Sequence, residues 1–433
     1  MTQLMFKQHR LLICAGSLSA LAYMYLAISS QQYAQSNLIE LWAVSGLCAL
    51  LSLIVWRHYH NEKQTIPVQL ILLFAVSFRL IGISGFPILE DDFYRYLWDG
   101  RMTIETGSPY GIAPAAFFSD NSISESFESI LGLINYPDIP TIYGPVNQWV
   151  FALGYIIAPG QVWPLQLLFS LADLGIIILL LRLAAPQFVL LYAWSPLLIK
   201  EFAFTAHPDI LGAFFLLAAF YIYARQSWFW LAVLLALAAG VKIFALILVP
   251  LLLRFHWRAW LVFITSAIII AQPFGLKAAW VPAGLSAMAS DWLFNAPLYS
   301  LLSLWLPMST IKALLLALFA LTAATYFFYI VHKKQILPIR ADRLFGLFFL
   351  CIPVLNPWYL AWLLPFAAIY PSRWAWAASF CLLLSYASGI NLSGSNLALY
   401  QQPIWAVTVQ FSVISAALLV DILKDISTRP TSH

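Results

Sequence analysis

The sequence predicts an all-α protein that crosses a membrane many times. Of its 433 residues, 62% are hydrophobic, 16% are aromatic and only 9% are charged. Many apolar runs approach about 20 residues, the length with which a helix crosses a hydrocarbon core of ~30 Å. A composition this apolar excludes a soluble domain and a disordered chain.

Apolar runs divide the chain into predicted membrane segments. The clear candidates are 11–28, 38–56, 66–84, 162–182, 208–224, 258–274, 309–331, 374–390 and 403–423. Shorter or interrupted runs, some of which could be half-helices or re-entrant segments, lie at 142–158, 187–200, 228–240, 243–254, 343–356 and 358–370. We therefore expect about twelve to fourteen crossings in one integral-membrane domain over 1–433. Two helices fall within 1–65, a long loop at 85–141, and the remaining helices within 142–433.

Basic residues in the short loops predict the orientation, because cytoplasmic loops carry an excess of lysine and arginine. The residues concerned are Lys7, Arg10, Arg57, Lys63, Arg254, Arg258, Lys333, Lys334, Arg340 and Arg343. With these loops inside, both termini are cytoplasmic and loop 85–141 faces the exterior.

The exterior loop contains an unusual concentration of charge at residues 90–101, EDDFYRYLWDGR. Aromatic residues alternate with the charges, which is typical of an amphipathic helix at a membrane surface. At helical spacing, one face carries Asp92, Arg95, Tyr96 and Asp99, and another carries Phe93, Leu97, Gly100 and Ile104. For the acidic stretch 117–138, a solvated loop is the favoured interpretation.

The sequence argues against several other chemistries. No HExxH, GxxxxGK[ST] or GxGxxG motif occurs, which disfavours a zinc enzyme and an ATP-driven pump. The four cysteines all fall in predicted spans, so neither a disulfide framework nor a CxxC metal site is expected. We expect no nucleic-acid partner.

Further ionisable residues lie near the membrane, where an unpaired charge costs several kcal/mol and usually has a partner or a task. Lys200, Glu201, His207 and Asp209 cluster at one predicted exterior end, and Lys242 falls at the tip of a predicted hairpin. Together they suggest an outward-facing cavity suited to a lipid phosphate carrying a sugar. Alternatively, Arg79 could snorkel to the interface, Lys200 and Glu201 could form a surface pair, and Asp173 could be a satisfied interior carboxylate.

Several motifs resemble those of polyprenol-phosphate-mannose-dependent mannosyltransferases with the GT-C fold. They are Glu90-x-Asp92, Asp99, Gly107-Ser-Pro-Tyr110 and Tyr143-Gly-Pro145. The stretches DDFYRYLWDGR, LLYAWSPLLIKEFAFTAHPD, GVKIFALILVP and NPWYLAWLLPF are more similar still to bacterial alpha-mannosyltransferases of this type, over most of 66–370. Two motifs depart from the family pattern, at Ser195-Pro196 and Ala206-His207-Pro208-Asp209.

The resemblance implies a GT-C bundle whose first large periplasmic loop is catalytic and contains juxtamembrane helices. It implies an inverting hexosyltransferase, with mannose the favoured sugar, polyprenyl phosphate the donor carrier and a hydroxyl of a glycan or glycolipid the acceptor. Asp92 is the predicted general base and Asp91 the alternative.

The other predicted site residues fall into three groups. Glu90, Asp99 and Tyr96 would orient the acceptor. The donor phosphate would be bound by cations chosen from Lys242, His207, Arg79, Arg95 and Lys200, of which Lys242 and His207 are preferred. The sugar or lipid would contact Tyr110, Tyr143, Trp358 and Tyr359, although anchoring at the bilayer surface is an alternative for each aromatic residue.

No cofactor is expected, because positive side chains can meet a monoanionic phosphodiester. The acidic-x-acidic spacing would also admit a divalent metal, which we consider the less favoured alternative. Two other functions stay open at this stage, a transporter or flippase of a lipid-linked sugar and a glycan polymerase. We expect a multi-pass protein of the bacterial inner membrane whose site faces the periplasm.

Overall fold

The computed structural model describes residues 9–32, 38–62, 65–275, 292–333, 339–392 and 395–427. Lys7, Lys63 and Lys334 of the predicted basic loops lie outside these residues. Within the described ranges the protein is helical, apart from one isolated bridge between Phe294 and Val354. The predicted all-α, polytopic membrane fold is confirmed.

The α-helices follow one another along the whole described chain. In order they are α1 Arg10–Gln32, α2 Leu38–Glu62, α3 Val68–Ile83, α4 Asp92–Glu105, α5 Glu125–Gly132, α6 Pro145–Ile157, α7 Trp163–Leu183, α8 Pro186–Ala193, α9 Pro196–Leu198, α10 Asp209–Tyr223, α11 Trp228–Val241, α12 Val249–Leu253, α13 Trp257–Ala271, α14 Pro297–Leu302, α15 Met308–His332, α16 Ala341–Cys351, α17 Leu364–Ile369, α18 Arg373–Cys381 and α19 Ile404–Ser427. A π-helical turn covers Ile199–Phe204, and 3₁₀ turns cover Pro114–Phe117, Ile243–Ile247, Gln272–Phe274, Pro357–Trp362 and Leu382–Tyr386.

Six helices of the described chain are long and apolar enough to cross a membrane. These are α1, α2, α7, α13 with its following turn, α15 and α19. A seventh span results if the segments Pro196–Phe204 and Asp209–Tyr223, which meet at 117°, are counted together. Hydropathy predicted twelve to fourteen crossings. The described chain has six continuous helices of sufficient length, and the other apolar runs form shorter helices, which we call legs.

The shorter legs pair into hairpins. Trp228 at the start of α11 stacks on the ring of His256, which follows α12, with centroids 5.1 Å apart. The chain therefore returns to the level at which α11 begins, and Lys242 forms the tip of this hairpin. In a second hairpin, Ser372 donates a hydrogen bond to Asp342 at 2.7 Å, which joins the start of α16 to the end of α17. The tip of this hairpin lies near Asn356.

The tips of these hairpins lie at the same end of the bundle as residues 85–141, which we call the loop end. Gln166 at the start of α7 donates a hydrogen bond to the carbonyl of Gly85, which follows α3. The opposite end, which we call the basic end, carries Arg254 and Arg340. Helix α15 packs against this end of the bundle, because Phe327 of α15 contacts Phe255, which follows α12.

Helix α4, the charged helix, is inside the protein rather than on its surface. Arg95, Tyr96 and Asp99 are all buried, as are the apolar Phe93 and Leu97. Their charged face packs towards α6, the helix formed by the interrupted apolar run at 142–158. The predicted amphipathic periodicity is therefore present, but both faces have protein neighbours.

Two glycines allow backbones to approach closely around this helix. A Cβ at Gly100 of α4 would overlap the carbonyl of Phe151 in α6. A Cβ at Gly144, immediately before α6, would overlap the carbonyl of Gly240 near the end of α11. Glycine at these positions is what brings α4, α6 and the hairpin tip together.

Replacing Gly144 by alanine tests this contact. The added methyl group meets backbone rather than a flexible side chain, so overpacking is expected to cost about 1–3 kcal/mol of stability. Thermal unfolding of the purified protein in detergent should show a lower midpoint for Gly144→Ala.

Gly46→Ala is the matched control, because a Cβ at Gly46 on the exposed side of α2 has no neighbour within 4 Å. Alanine should be tolerated there or stabilise the helix by about 1 kcal/mol. An unchanged midpoint for Gly144→Ala would contradict the packing argument.

Candidate active site

A cavity of about 440 Å³ lies at the loop end, within the range of roughly 300–1,000 Å³ typical of ligand pockets. Its walls come from seven parts of the described chain that are far apart in sequence. They are the segment 86–96 at the start of α4, the loop 133–143, Asp209 at the start of α10, the hairpin tip at Lys242, residues 292–294, residues 356–359, and the segment 385–400. Each of the predicted site residues Glu90, Asp91, Asp92, Arg95, Tyr96, Tyr143, Lys242, Trp358 and Tyr359 lines this cavity.

Two adjacent carboxylates of the cavity differ in their hydrogen bonds. Asp91, which precedes the first residue of α4, accepts a short hydrogen bond from the side-chain amide of Asn135. Asp92 accepts a weaker one, 3.3 Å from the hydroxyl of Tyr143, and that hydroxyl is also 3.5 Å from the Tyr96 hydroxyl. Asp92 is therefore the carboxylate with more capacity to accept a proton from a bound alcohol.

The third carboxyl of the cavity is Glu90. Its burial raises its pKa well above the ordinary value, the Lys200 ammonium opposes that shift, and the charge of Asp92 adds to it. The pKa of Asp91 is also raised, by burial and then by Asp92, while the hydrogen bond from Asn135 lowers it.

Two cations line the described part of the cavity, and both already have partners. The ammonium of Lys242 is 2.9 Å from Asp209 and lies over the Tyr359 ring at 3.8 Å, yet its side chain remains 27% exposed. The guanidinium of Arg95 bonds to Asp99 at 3.1 Å and to the Ile139 carbonyl at 2.7 Å. An ammonium has three donors, so Lys242 can hold a further oxygen besides Asp209.

Aromatic rings form another part of the wall. Trp358 is stacked on the ring of His207, with centroids 3.9 Å apart and planes at 11°. Tyr143 packs edge to face on Tyr96, with centroids 5.0 Å apart. An indole backed in this way is a rigid surface on which a sugar ring can pack.

Five of the predicted site residues lie outside the cavity wall: Arg79, Asp99, Tyr110, Lys200 and His207. Asp99 is fully enclosed and accepts hydrogen bonds from Arg95, Thr141 and Gln148, so it ties α4 to α6 and the preceding loop. Tyr110 donates to the Tyr143 carbonyl at 2.9 Å and supports that residue from outside the cavity.

Arg79 is part of an ion pair inside the bundle. Its guanidinium meets Asp173 at 2.7 Å, and both side chains are 1% exposed. Tyr192 donates to the same carboxylate at 2.8 Å. Asp173 is therefore a satisfied interior carboxylate, which is the interpretation that the sequence allowed. Arg79 pairs with it inside the bundle and does not snorkel to the interface.

Lys200 and His207 belong to a buried polar network directly behind the cavity. Glu201 is its centre, with Lys200 at 3.2 Å, the Nδ1 atom of His207 at 3.1 Å and the hydroxyl of Tyr386 at 2.8 Å. Tyr386 itself lines the cavity. The network therefore supports two cavity residues, Tyr386 directly and Trp358 through His207.

The backbone around this network is unusual. Lys200 and Glu201 lie in the π-helical turn, and Ala206 has a left-handed φ of 62°. A non-glycine residue in that region is strained, and such strain often accompanies functional sites. The strained turn at Ala206 places His207 against Trp358. Helix α10 then begins at Asp209, the partner of Lys242.

Sequence reasoning missed several residues of the site. Asn135 lies in a stretch interpreted as a solvated loop, and Tyr386 lies in a segment with no signal beyond hydrophobicity. Asp209 and Glu201 were visible as part of a charged cluster, but not as the partners of Lys242 and Tyr386. No group of three or more His, Cys, Asp or Glu side chains in the described chain is arranged to hold a metal.

Comparison with known proteins identifies one family. The model of the MptA_B family, described as alpha-(1->6)-mannopyranosyltransferase, N-terminal domain, matches residues 12–258, more than half of the chain. The matched part includes Asp92, Tyr143 and Lys242. No curated protein and no solved structure shows a significant match.

The buried network predicts a large effect of Glu201→Gln on stability. Removing this carboxylate leaves the 1%-exposed Lys200 without its counter-charge, and breaking a buried ion pair typically costs about 3–5 kcal/mol. Thermal unfolding should show a much lower midpoint than for Glu128→Gln, the same change on the exposed side of α5. Equal midpoints for the two variants would contradict the network.

The raised pKa of Glu90 predicts how stability depends on pH. The folded state holds this proton more tightly than the unfolded chain, so stability falls as pH rises from the ordinary value near 4.5 towards the raised one. Glu90→Gln removes the titrating group. Its unfolding midpoint should exceed that of the wild type at neutral and alkaline pH, and the difference should shrink as pH approaches 4.5.

For this test Glu128→Gln is again the control, and its difference from the wild type should change little over the same pH range. A constant difference between Glu90→Gln and the wild type would show that Glu90 does not titrate abnormally.

Proposed function

We propose, since the chain belongs to the MptA_B family of alpha-(1->6)-mannopyranosyltransferases, that it transfers mannose from a polyprenyl-phosphate donor to the 6-hydroxyl of a mannose-containing acceptor. The protein is thus a membrane-embedded mannosyltransferase, and the donor, the acceptor and the roles of individual residues are the proposal. The observation that carries the residue assignment is the position of Asp92, a lightly bonded carboxylate in a cavity that also holds Lys242 and Arg95.

The reaction is a single displacement at the anomeric carbon. The acceptor oxygen forms a bond to this carbon as the bond to the phosphate oxygen breaks, and the phosphate leaves with the bonding electrons. Asp92 takes the proton of the acceptor hydroxyl as the new bond forms. Displacement from the opposite face inverts the configuration, so a beta-linked donor gives the alpha linkage in the family's description.

The leaving phosphate needs donors that strengthen their bonds as charge develops on it. Lys242 can supply one, because its ammonium is held in place by Asp209 and remains partly exposed. Arg95 lies in the same wall and supplies a second positive charge. His207 and Lys200 lie behind the wall and would support the site rather than touch the phosphate, and Arg79 is paired with Asp173 inside the bundle.

The number of cations favours a lipid monophosphate over a nucleotide diphosphate. Arg95 and Lys242 are each already opposed by a carboxylate, Asp99 and Asp209. Little positive charge remains for a dianionic diphosphate, and a phosphodiester with one negative charge is repelled less. The proposed reaction therefore needs no metal, and a chelator should leave transfer unchanged.

The proposed location is the bacterial inner membrane with the cavity facing the periplasm. The basic end carries Arg254, Arg258, Lys333, Arg340 and Arg343, and such loops are cytoplasmic as a rule. The loop end would then be exterior, where lipid-linked donors replace nucleotide sugars.

The decisive experiment measures transfer by purified protein in lipid nanodiscs. Labelled polyprenyl-phosphate beta-mannose is the donor, and an alkyl alpha-mannoside is the acceptor. Wild-type protein should form an alpha-(1->6) disaccharide, and Asp92→Asn should reduce the rate by about 10²–10⁴-fold, the usual contribution of a general base.

Asp91→Asn is the matched neighbour and should lose much less activity, because Asp91 is engaged by Asn135. If Asp91→Asn is the inactive variant, the base is Asp91. If both variants keep full activity, the general-base assignment is wrong. Wild-type activity with GDP-mannose alone, or with an acceptor that lacks its 6-hydroxyl, would refute the proposed donor or linkage.

A further inference from the structure

Three aromatic rings to which the proposed reaction assigns no role meet in the wall of the candidate active-site cavity. Tyr136 comes from the loop 133–143, Trp292 precedes α14, and Tyr400 precedes α19. The centroid of the Tyr136 ring lies 6.0 Å from that of Trp292 and 6.2 Å from that of Tyr400, and the latter two are 5.7 Å apart. These separations are those of packed aromatic pairs, and we call the three rings the aromatic cluster.

Backbone contacts fix the segments that carry the cluster. Two residues after the tryptophan, the carbonyl of Phe294 accepts a hydrogen bond from the N–H of Leu355 at 2.9 Å. The N–H of Ile390 donates to the carbonyl of Leu399, directly before the second tyrosine, at 2.8 Å. Tyr136 itself has a left-handed φ of 51°, which is uncommon for a residue other than glycine. The three rings therefore meet because their backbones are held in place.

The aromatic cluster lies beside the carboxyls that precede the proposed base. Asn135, the neighbour of Tyr136 in the chain, donates its side-chain hydrogen bond to Asp91. Burial raises the pKa of Tyr400, and a hydrogen bond with Tyr136 and the charges of Asp91 and Glu90 raise it further. The hydroxyl of Tyr400 is therefore close to both carboxyls.

The proposed displacement assigns this side of the cavity to the acceptor. In such a reaction the attacking oxygen and the leaving phosphate lie on opposite faces of the anomeric carbon. The proposed phosphate ligand, Lys242, is at a hairpin tip beside Asp209, whereas the cluster adjoins Asp91. The bonded pair of Asp91 and Asn135 lies between the cluster and Asp92, so the cluster is in reach of the sugar next to the reacting one.

The same wall carries a polar side chain suited to sugar hydroxyls. Asn356 lines the cavity and follows Leu355, the residue bonded to Phe294 beside the cluster. It is only 7% exposed, and no residue of the described chain hydrogen-bonds to its side-chain amide. A buried polar group without a partner is costly, and an amide can donate to one hydroxyl and accept from another.

We propose that the aromatic cluster and Asn356 bind the second sugar of an extended acceptor, the one next to the mannose that gives its proton to Asp92. A pyranose packs its C–H face on aromatic rings and presents its hydroxyls at the edge, which matches this combination. A phosphate is a poor occupant, because the neighbouring charged groups are the carboxyls Glu90 and Asp91. The identity of the sugar rests on the proposed transfer reaction.

The first test measures binding without donor, by saturation-transfer difference NMR on the full-length protein in nanodiscs. The ligands are methyl alpha-mannoside and methyl alpha-(1->6)-dimannoside. The wild type should bind the dimannoside about tenfold more tightly, the effect of burying one additional apolar contact surface.

Variants of the cluster should remove this preference. Trp292→Ala and Tyr136→Leu each delete a ring, whereas Tyr136→Phe keeps the ring and should retain the preference. Asn356→Leu should weaken dimannoside binding by about tenfold, since it removes hydrogen bonds without removing bulk. Trp305→Ala is the matched control and should behave as the wild type, because this indole is 70% exposed and lies outside the cavity.

Transfer assays with the same two acceptors separate this inference from the proposed function. Wild type that prefers the dimannoside in binding, but forms no product with any lipid-monophosphate sugar, would contradict the proposed function and support the second-sugar site. Wild type that transfers mannose but binds both acceptors equally would overturn the inference alone. Equal loss of the preference in Trp292→Ala and Trp305→Ala, or its retention in Trp292→Ala, would also overturn it.

Discussion

The close contact of the backbones at Gly144 and Gly240 determines the spacing between the two charged walls of the candidate active-site cavity. Tyr143, which bonds to Asp92, immediately precedes the first glycine, and Lys242 follows the second by two residues. The amide of the Asn147 side chain also bonds to the Val241 carbonyl at 3.0 Å. A single backbone contact therefore sets how far the proposed base lies from the proposed phosphate ligand, and a side chain there would move both.

The cost of charge inside a membrane explains the residues behind the cavity. A bilayer core has no water to satisfy polar groups, so ions within the bundle must find partners in the protein. Arg79 with Asp173, and Glu201 with Lys200, meet this requirement. The first pair joins α3 to α7, and the hydrogen bond from Tyr386 to Glu201 joins the π-helical turn to a segment far away in the chain.

The sequence predicted the helix at Asp92 and the hairpin tip at Lys242, because local periodicity and breaks in hydropathy are properties of short segments. It could not separate cavity residues from supporting ones. Asp99 shares a helical face with Asp92, but its neighbours Thr141 and Gln148 come from another part of the chain. Tyr386 meets Glu201 across 185 positions, a contact with no local signal. Contacts with distant segments of the chain therefore decide whether such a residue lines the cavity or supports it from behind.

Among the described residues, the candidate active-site cavity is lined by more carboxylates than cations, which constrains how an anionic donor could bind there. Glu90, Asp91, Asp92 and Asp209 line it against Arg95 and Lys242. Long-range attraction would not draw a phosphate into such a site, so binding must rest on short-range hydrogen bonds and on burial of the lipid chain. The raised pKa brings Glu90 closer to its neutral form, which would remove one repelling charge, whereas Asp92 must be ionised to accept a proton. Different environments for neighbouring carboxyls are thus what would allow one cavity to hold an anion and a base together.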